Sequence, residues 1–408
     1  MKKGNVIVGQ SGGPTSVINS SLAGVYKAAV ENGADKVYGM LHGIEGMLKE
    51  NYVDLDDYIH NDLFVELLRR TPSSFLGSCR HKLPQIADGE DKYEKIFGLI
   101  KKLDIKYFFY IGGNDSMDTI KKLSEYAKTI NSDVIFMGVP KTIDNDLAVT
   151  DHTPGFGSAA KFIASTLKEV IRDCYAYDQK MVTVVEIMGR NAGWLTASAA
   201  LSKTQDCPGP DMIFVPELPF DLDTFMKRVE STIEERRSMV VAVSEGLRAT
   251  DGMYVCEMRK SSSFTDSFGH KTLSGTSLFL SDYIADKLGC KTRSIELSTL
   301  QRCAAHMVSR TDNEEAFLTG GKAVRAAFDG ETAKMVIMIR TSDDPYHIIA
   351  ESCDISRIAN IEKKIPRSWL NGDGTGVTKE FVTYCKPLIQ GEINPVMVDG
   401  LPRHLYLK

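Results

Sequence analysis

The sequence has no cysteine pair at the spacing of a metal site or a redox motif. No histidine stands near a cysteine at zinc-site spacing either. Cysteines scattered in this way do not indicate a disulfide framework. They predict reduced thiols in a cytoplasmic protein. The eight cysteines are Cys79, Cys174, Cys207, Cys256, Cys290, Cys303, Cys353 and Cys385.

Long apolar runs and a strong charge imbalance are also missing. The first apolar run covers only residues 6–8, too few for the core of a signal peptide, and no run approaches the roughly 18 residues of a membrane span. A net charge of −5 over 408 residues gives no electrostatic basis for binding nucleic acid or an anionic membrane. We therefore expect neither partner, and the length indicates about two to three domains.

Strand-like and helix-like segments alternate over the first 250 or so residues. This alternation predicts an α/β fold with parallel sheets, and we expect two such sheets. Residues 260–276 are polar and predict a mobile surface loop, and the chain beyond residue 339 is predicted to be irregular. The strand candidates are residues 5–8, 37–41, 105–111, 133–139, 181–187, 212–215, 239–243 and 334–339, and the clearest helix candidates are residues 90–103, 158–173 and 314–328.

The strand candidate at residues 105–111 ends in two glycines, followed by Asn114, Asp115 and Ser116 and then a helical pattern. A strand that breaks on glycines before a helix presents backbone N–H groups at the helix N-terminus. That arrangement suits phosphate. The strand candidate at residues 5–8 is followed by a similar turn with Gly12 and Gly13, although many α/β proteins open this way without binding phosphate there.

A second turn concentrates charge after the strand candidate at residues 133–139. Lys141, Asp144 and Asp146 lie within six residues, at the strand end where open α/β sheets place their ligands. A carboxylate can take a proton from a hydroxyl, and a lysine can stabilise charge on a moving phosphoryl group. The two turns together predict a phosphoryl-transfer site. A serine-rich loop ending in Arg80 could contact phosphate, but a solvated turn is the simpler reading of that loop.

Six motifs resemble, in order, those of the 6-phosphofructokinase family over residues 5 to about 340. The Thr-Ile-Asp-Asn-Asp segment with Met-Gly-Arg downstream is the most specific part of the resemblance, whereas a glycine pair alone is weak. The motifs are Gly12-Gly13, the Gly-Gly-Asn-Asp-Ser run at 112–116, the Pro-Lys-Thr-Ile-Asp-Asn-Asp run at 140–146, Met188-Gly189-Arg190, Glu245-Gly246 and Gln301-Arg302.

The resemblance implies two Rossmann-like lobes with mainly parallel sheets and an active site in the cleft between them. It places the donor-binding lobe at residues 1–155 plus about 301–350, and the sugar-phosphate lobe at residues 156–300 plus about 351–408. It also implies the reaction, which is phosphoryl transfer to the 1-hydroxyl of fructose 6-phosphate with Mg²⁺.

The resemblance assigns a role to each matching residue. Asp144 resembles the general base, with Lys141 and Asp115 beside it in catalysis. The residues resembling donor contacts are Gly12, Gly13, Arg80, Gly113 and Ser116. The residues resembling sugar-phosphate contacts are Thr142, Asp146, Met188, Gly189, Arg190, Glu245, Arg293 and Arg302.

Asp115 and Lys141 distinguish between phosphoryl donors. Members that use ATP have glycine at both places, whereas members that use inorganic pyrophosphate resemble this chain. A carboxylate at Asp115 would face the α-phosphate of a nucleotide, at a cost of roughly a few kcal/mol at an effective dielectric of about 20. Lys141 would offer positive charge to the leaving phosphate. The resemblance therefore favours pyrophosphate, and the similar transfer potentials of the two phosphoryl compounds predict a reversible reaction.

Asn114 departs from the family pattern, because an aspartate that helps hold magnesium is expected there. An amide oxygen can ligate the ion but brings no charge. The alternatives are an ATP-dependent phosphofructokinase, a sedoheptulose 7-phosphate phosphotransferase, and a noncatalytic sugar-phosphate sensor. Arg293 resembles a residue that reaches a neighbouring subunit's site, which implies a homodimer or homotetramer.

Overall fold

The computed structural model describes residues 4–258 and 273–407. Most of the loop predicted at residues 260–276 lies outside these described residues, and Thr276 begins a helix. The chain divides into two compact units, each assembled from separated segments. Unit 1 comprises Met1–Ser158, Arg302–Glu362 and Gln390–Lys408, and unit 2 comprises Ala159–Gln301 and Lys363–Ile389.

The described residues contain the following strands and helices, in chain order. The strands are β1 Asn5–Gln10, β2 Val37–Met40, β3 Tyr52–Asp54, β4 Ile105–Gly112, β5 Ile135–Pro140, β6 Met181–Ile187, β7 Met212–Phe214, β8 Ser238–Ser244, β9 Lys291–Glu296, β10 Lys334–Asp343, β11 Tyr346–Asp354, β12 Met397–Val398 and β13 Leu401–Pro402. The helices are α1 Ile18–Glu31, α2 Gly43–Leu48, α3 Asp62–Arg69, α4 Glu90–Lys102, α5 Asn114–Thr129, α6 Phe156–Cys174, α7 Trp194–Ala197, α8 Leu222–Arg236, α9 Thr276–Leu288, α10 Leu300–Cys303, α11 Arg310–Phe328 and α12 Lys379–Cys385.

Unit 1 is built on a seven-stranded sheet with the order β11-β10-β5-β4-β1-β2-β3. The central pairings from β10 to β2 are parallel, and only the edge strands β3 and β11 run antiparallel to their neighbours. From β1 the chain continues to β2 on one side, whereas β4 lies on the other side. The gap between β1 and β4 is therefore the switch point at which such sheets bind ligands.

Strand β4 shows why the central strands of unit 1 read as continuous apolar runs. Phe108 and Tyr110 point into the core that contains α4 and α5, whereas Phe109 and Ile111 point into the core that contains α1 and α11. Both faces of the strand are buried, so it has no polar face to alternate with the apolar one.

Helices α1 and α11 come into backbone contact at glycines. A Cβ atom added to Gly24 would lie 2.1 Å from the carbonyl oxygen of Phe317, and one added to Gly320 would lie 2.2 Å from that of Ser21. These distances leave no room for a side chain. The close approach fixes α11 against the helix that follows the first phosphate-type turn.

Unit 2 contains a four-stranded parallel sheet with the order β7-β8-β6-β9. Val182 and Val184 of β6 lie in its core, where Phe225 of α8 and Leu280 of α9 pack. Strand β6 has the predicted bounds, since all seven of its residues are buried. The α/β class with mainly parallel sheets, predicted from the sequence, is confirmed for both units.

The prediction that the chain is irregular beyond residue 339 is wrong. Strand β10 continues to Asp343, and β11 returns antiparallel beside it as the edge of the sheet. An edge strand covered on one face needs fewer apolar residues, so its signal is weak. Residues 351–362 and 390–408 also differ from the predicted lobe boundaries, because they belong to unit 1, where Leu405 and Leu407 pack against the core.

Candidate active site

Most of the predicted donor and catalytic residues follow three neighbouring strands of unit 1. The loops after β1, β4 and β5 are joined by backbone hydrogen bonds, because Ser11 N donates to Ile111 O at 3.0 Å and Lys141 N donates to Gly112 O at 3.1 Å. Parallel strands end at one edge of the sheet, so these loops lie side by side. The switch point between β1 and β4 thus carries both glycine turns.

The loop that ends in Arg80 is attached to the first of these turns. Gly12 N donates to Cys79 O at 3.1 Å, and the Ser78 hydroxyl donates to Gly12 O at 2.6 Å. Gly12 has a φ of 76°, which a glycine adopts without strain. The prediction of a solvated turn is therefore incomplete, because the backbone beside Arg80 is hydrogen-bonded to the glycine turn.

Lys141 is a buried lysine, only 3% exposed, whose ammonium group donates to Gly13 O at 2.8 Å. Burial lowers its pKa to about 8, although Asp144 and Asp146 act to raise it, and the positive charges of Arg302 and Arg80 lower it further. Five charged groups from three separated segments of the chain therefore interact here. A buried ammonium among them favours an anionic ligand.

Arg302 belongs to this cluster although it stands far along the chain. One of its guanidinium nitrogens lies 3.0 Å from the position that a Cβ on Gly13 would occupy. A side chain at Gly13 would displace that guanidinium. The glycine at this position leaves space for the arginine.

Helix α5 begins directly after β4, with Gly113 as its N-cap. Asp115 lies in the first turn, and Ser116 is buried. The amide oxygen of Asn114 is buried and has no hydrogen-bond partner. Lys82 Nζ lies 3.1 Å from Asp115 Oδ1. The N-terminus of α5 therefore combines a helix dipole that favours anions with the Asn114 amide oxygen, which could bind a cation.

Asp144 is oriented by the residue two positions before it. Asp144 N donates to the Thr142 hydroxyl oxygen at 3.1 Å, and that hydroxyl lies 3.4 Å from Asp144 Oδ2. This turn fixes both the backbone and the carboxylate. An oriented carboxylate next to a buried ammonium can accept a proton from a substrate hydroxyl.

A buried network behind this turn was not predicted from the sequence. Thr142 N donates to Pro154 O, the Thr153 hydroxyl donates to Thr142 O, and Gly155 N donates to Asp312 Oδ1 at 2.8 Å. Burial raises the pKa of Asp312 to about 6, and hydrogen bonds from Ser158 and Gly155 partly oppose that.

His152 stands just before Thr153 in the chain and is 1% exposed. Its Nδ1 lies 2.7 Å from Asp151 Oδ1, and its Nε2 lies 2.6 Å from Glu315 Oε2. Burial lowers the pKa of His152, but the two carboxylates outweigh burial and raise it to about 9. Glu315 comes from α11, more than 150 residues away in the chain, so no local pattern indicates this contact.

Unit 2 brings together the Met-Gly-Arg and Glu-Gly motifs. They follow the neighbouring strands β6 and β8, and Gly189 N donates to Glu245 Oε1 at 3.4 Å. Met188 N donates to the side-chain oxygen of Gln301, also at 3.4 Å. Arg190 lies in the same loop. Arg293 lies apart on the edge strand β9, where its guanidinium pairs with Asp173 at 2.8 Å.

Two features are absent from residues 4–258 and 273–407. No three His, Cys, Asp or Glu side chains there form a group that could hold a metal ion by themselves. No helix within the same residues has the length and apolarity needed to cross a membrane.

Residues 5–327 match the profile of the Phosphofructokinase family. The chain belongs to the phosphofructokinase family. It is similar to the pyrophosphate--fructose 6-phosphate 1-phosphotransferase of Halomonas elongata, with 39% identity covering 99% of this chain and 96% of the relative. The protein of the same name from Xanthomonas campestris pv. campestris is 39% identical over 100% of this chain and 97% of its own length.

Solved structures of the family show the same fold. The pyrophosphate-dependent phosphofructokinase of Nitrosospira multiformis is 36% identical and superimposes with a TM-score of 0.89, covering 100% of this chain and 97% of that one. The phosphofructokinase-like fold predicted from the motifs is thus confirmed.

Proposed function

We propose that the chain transfers a phosphoryl group from inorganic pyrophosphate to the 1-hydroxyl of fructose 6-phosphate, giving fructose 1,6-bisphosphate and phosphate in a reversible reaction of glycolysis and gluconeogenesis. The observation that carries the proposal is the buried ammonium of Lys141 beside Asp144, at the turn that joins the two glycine loops. The names of its full-length relatives support the same donor and acceptor.

In the proposed reaction, Asp144 accepts the proton of the 1-hydroxyl as that oxygen attacks the terminal phosphorus of pyrophosphate. The new O–P bond forms while the bridging P–O bond breaks, and inorganic phosphate leaves. Lys141 stabilises the negative charge that develops on the leaving phosphate. Gly12, Gly13 and the N-terminus of α5 bind the donor through backbone N–H groups, with Arg80 beside them.

The remaining predicted contacts concern the sugar phosphate. Thr142, Asp146 and Arg302 of unit 1 are proposed to bind the sugar phosphate. The proposed contacts from unit 2 are Met188, Gly189, Arg190, Glu245 and Arg293. The homodimer or homotetramer implied by Arg293 and the cytoplasmic location stay predictions.

Asn114 fits the proposed Mg²⁺ site as a single protein ligand. Its buried, unpartnered amide oxygen is the kind of hard donor that this ion prefers, and Mg²⁺ commonly combines few protein oxygens with water and substrate phosphates. When bound, the ion neutralises charge on the donor phosphates. The donor would supply most of the negative charge that Asn114 lacks.

Asn114→Asp is expected to lower the Mg²⁺ concentration for half-maximal activity by about five- to tenfold, because it adds a charge to the ligand. The measurement is a Mg²⁺ titration of turnover at fixed pyrophosphate. Asn131→Asp, which adds the same charge at an exposed position after α5, is the matched control. An unchanged Mg²⁺ requirement in Asn114→Asp would contradict the assignment.

The Asp115→Gly variant tests which phosphoryl donor the protein uses. The wild type is expected to use pyrophosphate and not ATP, and the variant is expected to gain at least about tenfold in kcat/KM for ATP because the side chain that occupies the place of the nucleotide's α-phosphate is removed together with its charge. The Asp115→Asn variant keeps the side-chain volume and separates charge from size. Steady-state turnover with fructose 6-phosphate or sedoheptulose 7-phosphate decides the acceptor in the same assay.

Equal turnover with ATP and pyrophosphate in the wild type would show that the donor assignment is wrong. Faster turnover with sedoheptulose 7-phosphate than with fructose 6-phosphate would show that the proposed acceptor is wrong. A wild type that binds the sugar phosphates but transfers nothing with either donor would be the noncatalytic sensor.

A further inference from the structure

The segment that follows Arg80 is attached to both sides of the proposed donor site. Upstream, Cys79 O accepts a hydrogen bond from Gly12 N in the turn after β1. Downstream, Leu83 O accepts a hydrogen bond from Lys122 Nζ of α5 at 2.8 Å, and Leu83 is buried. Lys122 is itself held by an ion pair with Asp118 at 2.7 Å. The backbone on either side of Lys82 is therefore attached to the turn after β1 and to helix α5.

From this position, Lys82 reaches the first turn of α5. Its ammonium lies 3.1 Å from Asp115 Oδ1, and the side chains are 55% and 32% exposed. A surface ion pair of this kind contributes little to stability. Its position suggests a role in binding instead.

Asp115 creates a problem for the proposed donor. A carboxylate that repels the α-phosphate of a nucleotide also repels pyrophosphate, which carries its charge on fewer atoms. A cation beside Asp115 would offset the negative charge of the carboxylate while leaving the side chain in place. Lys82 is the lysine whose ion pair with Asp115 the structure shows.

Resting on the proposed function, we infer that Lys82 is a specificity-determining residue for pyrophosphate, acting as a pair with Asp115. The ammonium neutralises the carboxylate and adds positive charge at the N-terminus of α5. The pair thereby keeps the local charge acceptable to a short polyanion, while the carboxylate still occupies the place of a longer donor. Pyrophosphate binding then depends on Lys82 most strongly when Asp115 is present.

The experiment is a double-mutant cycle with Lys82→Met and Asp115→Gly in the full-length protein. Lys82→Met is expected to weaken pyrophosphate binding by about tenfold, measured by calorimetry without sugar phosphate and as KM in turnover. The KM for fructose 6-phosphate is expected to change less than about twofold. In the Asp115→Gly background the same substitution is expected to weaken pyrophosphate binding only about two- to threefold, because no unpaired carboxylate remains.

Two further variants make the result specific. Lys82→Arg keeps the charge and is expected to restore most of the affinity. Lys36→Met is the matched control, because Lys36 is 53% exposed and pairs with Asp54 at 2.7 Å beside the distant strand β3. Lys36→Met is expected to leave pyrophosphate binding unchanged.

Unchanged pyrophosphate binding in Lys82→Met, or an equal loss in both backgrounds, would overturn the inference. Failure of the proposed function is a separate outcome. If the wild type binds pyrophosphate but does not transfer its phosphoryl group, the proposed reaction fails, whereas the calorimetric cycle still tests Lys82. If the wild type does not bind pyrophosphate at all, both are wrong.

Discussion

Asp144→Asn is expected to lower kcat for the pyrophosphate reaction by about 10²–10⁴-fold, the usual contribution of a positioned general base. An amide keeps the shape of the side chain but cannot accept the hydroxyl proton. The KM for fructose 6-phosphate is expected to change only modestly, because Thr142 and Asp146 remain. The measurement is steady-state turnover at saturating pyrophosphate, with fructose 6-phosphate varied.

The control for Asp144→Asn lies just before the other end of strand β5. Asp133 is an exposed carboxylate there, and Asp133→Asn is expected to leave kcat unchanged. Thermal unfolding of both variants checks that the fold is retained. A kcat near the wild-type value in Asp144→Asn would mean that another group, or water, takes the proton.

His152→Leu is expected to lower the free energy of unfolding by about 3–5 kcal/mol, because it leaves the buried carboxylate of Glu315 and the partly buried carboxylate of Asp151 without their shared partner. Asp151 retains Arg340, whose guanidinium lies 2.9 Å from its Oδ1, and Glu315 retains the hydroxyl of Tyr346 at 2.6 Å. Neither contact replaces the imidazolium that lies between them. The measurement is denaturant unfolding at pH 6.

The pH dependence of the His152 effect has a definite sign. The folded-state pKa of about 9 lies above the ordinary value of 6.5, so the folded state binds more protons between these values. The stabilisation by His152 is complete below pH 6.5 and is lost as the pH rises through about 9. The difference in unfolding free energy between wild type and His152→Leu should therefore shrink over that range.

His347→Leu is the matched control for His152→Leu. His347 is exposed on β11, where its Nδ1 lies 2.7 Å from the Thr341 hydroxyl. Its replacement is expected to change the unfolding free energy by less than about 0.5 kcal/mol. A loss below about 1 kcal/mol in His152→Leu, or a difference from wild type that does not vary with pH, would show that the imidazole is not charged.

The sequence predicts those parts of the fold whose pattern of apolar residues, glycines or charges lies within one short segment. Strand β6 is predicted with its exact bounds because both of its faces are buried, and the turn at Gly112 is predicted because two glycines interrupt a strand before a helix. Strand β11 is not predicted, since an edge strand covered on one face carries fewer apolar residues. The same locality explains the predicted grouping of Lys141, Asp144 and Asp146 within one turn.

The supporting contacts of the site cannot be predicted in this way. His152 and Glu315 form one buried pair from distant segments, and neither residue belongs to a recognisable motif. Lys82 is one of many charged residues in the sequence, and only the folded chain shows that it meets Asp115. Such pairs depend on which elements become neighbours, which single-residue patterns do not encode.

The interrupted path of the chain through unit 1 has a consequence for its biosynthesis. Strand β5 pairs with β10, which follows almost two hundred residues later in the chain. Met137, for example, is paired with Lys334, so this pairing cannot form until Lys334 has been synthesised. At about 5–20 residues per second a ribosome needs roughly 10–40 s to make that length. During this interval the apolar strand β5 is an open edge of the nascent sheet, to which another chain can add. Unit 1 is thus most vulnerable to aggregation while the ribosome is still making unit 2.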